Sequence, residues 1–383
     1  MLPLISLLLH GYVAARLLPA LAAAPAVCAI LSILLLISLW HMPMGIGLRY
    51  RFRQRRKPAG VTAWLAWTAM GLFSSLLVLT LLRDALLLAA LVVDAIRPGT
   101  LPPGAWDVRS AWVVVSLALF VTAWGFVAAR RTARVVRVDV PIAGLPVALA
   151  GFRIVQLSDL HAGPTIRRDY LQRIVAAANR LDADMVALTG DLVDGGVPDL
   201  APHVAPLAGL HSRHGTFFVT GNHEYYSGAH DWIAEFRRLG MRVLLNEYAV
   251  LTHAALGSAA ARIVIAGVTD FSAGKYDPAH RSDPARAIAG APADAAVRVL
   301  LAHQPRSAPA AAAAGFDLQI SGHTHGGQFL PWKWFVRLQQ PFVAGLDRLQ
   351  DMWVYTSRGT GYWGPPNRFG APSEITLLRL VPA

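Results

Sequence analysis

The sequence predicts two structural classes in one chain: an N-terminal α-helical transmembrane region of about four spans, residues 1–138, and an α/β domain, residues 139–383. Three observations lead there. Long uncharged stretches are confined to the first third, short β-rich runs alternate with helical patterns beyond it, and the charge divides at the same place. Of the 383 residues 55% are hydrophobic and 15% charged, which excludes disorder for most of the chain. The formal net charge is +12. Residues 1–138 hold 14 Lys and Arg against three Asp and Glu, a net +11, whereas residues 139–383 hold 21 against 20, a net +1. The basicity therefore belongs to the membrane third and marks no nucleic-acid-binding domain. A single cysteine, Cys28, excludes an internal disulfide framework and any cysteine-rich zinc module.

Four uncharged stretches are candidate spans: Met1 to Ala15, Leu17 to Leu48, Pro58 to Leu82 and Ser110 to Ala129. A helix needs roughly 20 apolar residues to cross about 30 Å of hydrocarbon. The last three meet that length. The first is short and is followed by Arg16 and Pro19, so it reads as a span with Arg16 at the interface or as a surface hairpin, with the span favoured. It lacks the basic start of a signal peptide. Between the second and third stretches, Arg49 to Lys57 carries six positive charges, and Arg130, Arg131, Arg134 and Arg137 follow the fourth. The loop Arg83 to Arg109 is balanced by Asp84, Asp94 and Asp107. Positive loops stay in the cytoplasm. The expected setting is thus a multi-pass protein of the cell (inner) membrane with its α/β domain on the cytoplasmic face. Trp64, Trp67, Trp106 and Trp112 lie near the span ends, where indoles favour the lipid interface.

From about Asp139, strands are predicted at Phe152–Leu157, Met185–Leu188, Thr216–Thr220, Arg262–Ala266, Val297–Ala302, Leu318–Ile320, Met352–Tyr355 and Ile375–Leu380, with a helix over Arg168–Leu181. Polar clusters follow several of these strands: Asp159-Leu-His161, Gly190-Asp191 with Asp194, Gly221-Asn222-His223-Glu224, His303, and Gly322-His323-Thr-His325-Gly-Gly. Ligands of open α/β sheets gather at strand carboxyl ends. The spacing of two in Asp159/His161 and His323/His325 predicts side chains on one side of an extended segment. Imidazoles, carboxylates and one amide, with no thiolate, suit Mn²⁺, Fe²⁺, Zn²⁺ or Co²⁺. There are enough donors for two ions.

These five blocks, in this order, resemble the calcineurin-like metallophosphoesterases, over roughly residues 150–383; the Gly-His-Thr-His-Gly-Gly-Gln328 form and the preceding spans are similar to the family's membrane-attached bacterial branch. The resemblance implies two mixed β-sheets sandwiched between helices. It implies two divalent metal ions, one held by Asp159, His161 and His325, the other by Asn222, His303 and His323, with Asp191 bridging. It implies hydrolysis of a phosphomonoester or phosphodiester by metal-activated hydroxide attack, with His223 as general acid. The spans would keep the site near a bilayer, which favours a lipid-linked phosphate as substrate. A different class remains open: a membrane sensor whose metal domain binds a phosphorylated ligand without cleaving it.

The remaining candidates carry less. His203, His211, His214, His230, His253 and His280 read as structural. Asp194 and Glu224 are equally well read as supports of a ligand histidine or as loop charges. Asp270 reads as structural. Arg358 and Arg368 offer guanidinium groups for a phosphate, but a loop ion pair is the plainer reading. Gly359-Thr-Gly361-Tyr-Trp-Gly364 matches a dinucleotide-binding spacing, yet Pro365-Pro366 denies the helix that must open there. Trp332, Lys333, Trp334 and Phe335 suit either an apolar lip, at the site or the membrane, or core packing.

Overall fold

A computed structural model of the protein describes residues 2–43, 60–99, 105–254, 257 and 259–383. The basic segment Arg49 to Lys57, on which the predicted orientation partly rests, lies outside these residues, as do Met44 to Leu48 of the second apolar stretch. The chain forms two compact units: Met1–Ala128 with Gly364–Phe369, and Ala129–Trp363 with Gly370–Ala383.

The first unit contains α1 (Leu2–Leu17), α2 (Pro25–Pro43), α3 (Gly60–Ile96) and α4 (Ala105–Arg130). Three stretches are long and apolar enough to cross a membrane, Pro3–Leu21, Gly60–Ile96 and Trp106–Arg130; the apolar helix Pro25–His41 is shorter. Where about four spans are expected from sequence, the described residues therefore carry about three. Leu31, Leu35, Leu72, Phe73, Leu76, Val114 and Ala118 pack between the helices, while residues such as Leu36, Leu88 and Val113 point outward. Outward leucines suit a lipid solvent.

Arg83 and Asp84, which sequence places at the start of a loop, lie inside α3. The apolar run that follows them continues the helix to Ile96. Both are paired. Asp84 accepts from Tyr12 Oη (2.7 Å), Arg16 Nε (2.7 Å) and Arg83 Nη1 (3.0 Å), and Arg83 also donates to Ser110 Oγ (2.9 Å) and to the Asp107 carboxylate. Charges among apolar helices persist when they satisfy one another. In the same unit Arg368 is buried and its backbone N–H donates to Gly125 O (3.1 Å).

The second unit is a two-sheet α/β domain. One sheet runs in the order β1-β12-β2-β3-β4-β5 and the other β10-β11-β9-β8-β7-β6. Their strands are β1 (Arg134–Ile142), β2 (Arg153–Leu157), β3 (Met185–Leu188), β4 (Thr216–Phe218), β5 (Arg242–Val243), β6 (Glu247–His253), β7 (Ala261–Gly267), β8 (Val297–Leu301), β9 (Leu318–Ser321), β10 (Gly345–Leu349), β11 (Met352–Thr356) and β12 (Glu374–Pro382). Both sheets are mixed: β2, β3, β4 and β5 are parallel neighbours while β12 runs antiparallel to β2, and β7, β8, β9 and β11 are parallel while β6 and β10 run antiparallel. Ile154, Met185, Ala187 and Phe217 of the first sheet meet Ile265, Val299, Leu301, Leu318 and Ile320 of the second in one buried layer. On the outer face of the first sheet lie α5 (Arg168–Asn179), α6 (Val197–Val204), α7 (Asn222–Ser227) and α8 (Ala229–Arg238), through Leu171, Ile174, Leu200, Trp232 and Phe236. The second sheet is covered by α9 (Pro284–Ile288) and α10 (Ala308–Ala313), through Ala287, Ala308 and Ala311. A further short helix, α11 (Trp332–Val336), buries none of its residues. This is the predicted pair of mixed sheets between helices. Parallel β2, β3, β4, β8 and β9 end at one edge of the stack, and that edge holds every predicted site residue.

Candidate metal centre

Each cluster follows its strand by a few residues. After β2 come Asp159 and His161, after β3 Asp191 and Asp194, and after β4 Asn222 and His223 at the start of α7. The second sheet supplies His303 after β8, then His323 and His325 after β9. Two donor groups without a shared residue result, Asp159–His161–His325 and Asp191–His303–His323, and a third, His161–Asp194–His223, overlaps the first; the ligand atoms of each lie within 4.8 Å of one another. His325 Nε2 lies 3.0 Å from His161 Nε2 and 3.4 Å from Asp159 Oδ1. His303 Nε2 lies 3.1 Å from Asp191 Oδ2 and 3.2 Å from His323 Nδ1. Asp191 Oδ2 stands between the groups, 4.0 Å from His161 Nε2 and 3.9 Å from His223 Nε2.

These donors fit cations. His303 Nδ1 is 2.7 Å from Thr189 O, a pure acceptor, so Nδ1 carries a hydrogen and Nε2, 3.1 Å from Asp191 Oδ2, is the atom that takes up a proton or a metal ion. His161 Nδ1 is committed to the Asp194 carboxylate (3.1 Å), which leaves its Nε2 lone pair facing His325. Lone pairs and carboxylate oxygens thus converge in a buried volume, where only protons or metal ions relieve the repulsion. Asn222 Oδ1 is buried and accepts no hydrogen bond among the described residues, as an oxygen reserved for a cation would.

The titration behaviour points the same way. Burial disfavours the charged form of His303, yet Asp191 and Asp159 outweigh it and raise this imidazole well above its ordinary value. His223 is likewise raised to about 9, burial being overcome by Asp191 and Asp194. Burial takes His323 down to about 3, with His303 adding to the effect.

The backbone is strained here. Asp159 (φ 53°), His161 (50°), Asp191 (54°), His323 (70°) and His325 (52°) all adopt the left-handed conformation, which costs a non-glycine residue about 1–3 kcal/mol. The extended segments predicted from the spacing of two are therefore absent, because each cluster turns sharply as it leaves its strand. Neighbouring loops hold the turns. Asp159 N donates to Gly190 O (3.0 Å), His161 N to Asp191 O (3.0 Å), and His323 N to both oxygens of Asp159 (3.0 and 3.1 Å). The loops also touch: a Cβ on Gly322 would stand 2.0 Å from Ser158 Oγ, and one on Gly190 2.6 Å from Gly221 N.

Two residues left open by sequence acquire definite positions. Asp194 accepts from Nδ1 of both His161 (3.1 Å) and His223 (2.6 Å) and so fixes the two rings. Burial would raise its carboxyl, but those imidazoles hold it well below the usual range. Glu224 accepts from the backbone N–H groups of Gly221 (2.7 Å), Leu192 (2.8 Å) and Asp191 (3.0 Å), tying the β3 and β4 loops together. Its carboxyl is pushed up to about 7 by burial and by Asp191. The Asp-x-x-Asp spacing of Asp191 and Asp194 is the sequence signal for the first, and the place of Glu224 in the Gly221-Asn222-His223-Glu224 block that for the second. Asp270 accepts from Gln304 Nε2 (2.9 Å) and Ser272 Oγ (2.5 Å), a structural pairing. Arg358 Nη1 donates to Glu374 Oε2 (2.8 Å), the plainer of its two readings. Away from the centre, His230, Asp277 and His280 gather into a further group near the surface.

Comparison with known proteins agrees with this geometry. A calcineurin-like phosphoesterase model matches residues 152–327. The chain is 38% identical over 277 residues to a zebrafish (Danio rerio) transmembrane protein with metallophosphoesterase domain, covering 70% of this chain and 62% of that one. It is 38% identical over 257 residues to an uncharacterized metallophosphoesterase of Campylobacter jejuni (66% and 64%), and 31% identical over 230 residues to one of Aquifex aeolicus (60% and 84%). The chain thus spans about three-fifths of the length of the first two relatives. With the whole predicted donor set gathered at one edge and most of a relative's length matched, this chain belongs to the calcineurin-like phosphoesterase family.

Proposed function

We propose that this protein is a membrane-anchored, binuclear-metal phosphoesterase that hydrolyses a phosphoester, with a lipid-linked phosphate as the favoured substrate class. The observation that carries this is the convergence of two donor groups on Asp191. Asp159, His161 and His325 would hold one ion, Asn222, His303 and His323 the other, and Asp191 both. When bound, such a pair supplies Lewis acidity at the phosphoryl oxygens and lowers the pKa of water in the site.

The protein's own groups do the rest. Asp194 orients His161 and His223 through their Nδ1 atoms, so each presents Nε2 inward. His223, its Nδ1 held by Asp194 and its Nε2 3.9 Å from Asp191 Oδ2, is placed to give a proton to the leaving oxygen. Tyr226 and Trp363 flank the His223 ring, with centroids 5.0 and 6.0 Å away. The helices anchor the chain in a bilayer; the basic clusters favour the cell (inner) membrane with the α/β domain in the cytoplasm.

The test is turnover of bis(p-nitrophenyl) phosphate by the purified full-length chain with Mn²⁺, Zn²⁺ or Co²⁺. Metal-dependent hydrolysis abolished by Asp191→Asn is expected. Tight metal binding without turnover under any metal would replace the enzyme by the phosphoryl-ligand sensor. A reporter fused after Ala383 that works only outside the cytoplasm would reverse the orientation.

A further inference from the structure

Immediately beyond the His323/His325 loop the chain makes an excursion whose side chains face the wrong solvent. Trp334 is 61% exposed, Phe335 54% and Leu338 83%, with Leu330 and Trp332 exposed beside them, and α11 has no buried residue. Five large apolar side chains open to water within nine residues mark an interaction surface. The charge around them has one sign. Between Asp317 and Asp347 the sequence contains Lys333 and Arg337 and no acidic residue. A third cation, Arg306, is tied to the excursion through Nε to Gln339 O (2.6 Å).

The excursion is pinned at both ends to the metal-centre loops. Gln328 bonds the Trp363 backbone twice, Oε1 accepting from N and Nε2 donating to O (2.8 Å each). Thr324, between the two histidines, donates through Oγ1 to Val343 O (2.6 Å). At the root Gly327 lies so close to α11 that a Cβ there would stand 2.2 Å from Lys333 Cα. The surface is thus a fixed lip beside the centre.

We propose that residues 330–338 dock into the interface of an anionic lipid bilayer and present membrane phosphoesters to the metal centre. Tryptophan, phenylalanine and leucine beside lysine and arginine are the composition that seats at a headgroup–acyl boundary and attracts anionic lipid. The same chain carries three helices long and apolar enough to cross a membrane, so a bilayer is a surface this protein already meets. The docking itself is independent of the chemistry; presentation of a lipid substrate rests on the phosphoesterase reading above.

The experiment uses the full chain, with Cys28→Ser, reconstituted into vesicles of phosphatidylcholine with or without phosphatidylglycerol. An environment-sensitive fluorophore is placed at Trp334→Cys and, as a control, at Asp351→Cys, a fully exposed turn position. A blue-shifted emission at 334, quenched by nitroxide lipids and more strongly with phosphatidylglycerol, is expected, with 351 unaffected. In parallel, Trp334→Glu combined with Phe335→Glu is expected to lower hydrolysis of vesicle-embedded phosphatidate by about tenfold, leaving bis(p-nitrophenyl) phosphate turnover within about twofold. A label at 334 that stays in water in both vesicles overturns docking, as does shielding that depends on protein concentration, which would mark a second copy. Equal loss on both substrates overturns presentation. Should the unmodified chain hydrolyse neither, the phosphoesterase reading fails while the label still decides docking.

Discussion

The two-sheet stack carries histidines that join its sheets at both ends, and the ends differ. At the carboxyl end of the parallel strands, His161 and His223 from the first sheet face His303, His323 and His325 from the second, among the buried carboxylates of Asp159, Asp191 and Asp194. At the opposite end His214, just before β4, meets His253, the last residue of β6, with Nε2 and Nδ1 3.0 Å apart. Phe152 packs against both rings, and Asp184 approaches His253 only to 4.0 Å. The residues at this second pair have no left-handed backbone, whereas five of the seven proposed ligands do. Imidazoles alone therefore say little. Strained turns and buried carboxylates distinguish a binding centre from a packing contact, because strain persists only where surrounding structure enforces it.

The sharpest way to break the comparison is to make the charged end resemble the neutral one. Asp191→Asn removes the carboxylate common to both donor groups and leaves His303 facing a neutral amide. Its loss should exceed the ~10–100-fold that removal of a supporting partner costs, in metal affinity and in kcat/KM alike. Metal content by elemental analysis and turnover of a soluble phosphodiester check it; retention of both metals would show that Asp191 is not their shared ligand. Asp194→Asn should fall within that ~10–100-fold range, because the ligand His161 remains but its ring, and that of His223, lose their common orienting carboxylate. A variant with full activity would return Asp194 to a loop charge.

Gly322→Ala separates geometry from charge. The added methyl would meet Ser158 Oγ and Asp159 Oδ2, at 2.0 and 2.3 Å, so the β2 and β9 loops must part. A cost of about 1–3 kcal/mol is expected, a fall of several degrees in Tm for a domain of this size. Thermal melting with and without metal checks it, and the fall should be larger with metal present.

How far the sequence could be read follows from the same contrast. The eight predicted site residues sit within a few positions of strands that apolar runs reveal, so their gathering at one edge is legible from order and spacing. Most predicted strands agree with the structure to within one or two residues. Strands β1, β5, β6 and β10 are not among those predicted; on β1, Arg134 and Arg137 read as topology signals, and its outer face tolerates them. The end of α3 is not legible from sequence, because Arg83 and Asp84 look like a loop without their partners Tyr12, Arg16 and Asp107, which the fold brings from elsewhere in the chain. Glu224 was undecidable for a similar reason: its partners are backbone N–H groups on two loops, and the backbone leaves no signature in residue type.

The smallest effect should come from the neutral pair. Burial lowers His214 below its ordinary 6.5, and His253 lowers it further; burial also lowers His253. One ring donates to the lone pair of the other, so protonating the acceptor breaks the contact. Because both folded values lie below the unfolded one, the unfolded chain binds more protons as pH drops. The stability of this pair is thus present above 6.5 and is lost as pH falls through 6.5 toward the folded values. His253 is buried but His214 is only half-buried, so less than about 1 kcal/mol is at stake. His253→Gln should flatten the pH dependence of Tm below 6.5 while leaving metal content and turnover unchanged. If it instead removes a metal or slows hydrolysis, the two ends of the stack are coupled, and the distinction drawn from strain and carboxylates fails.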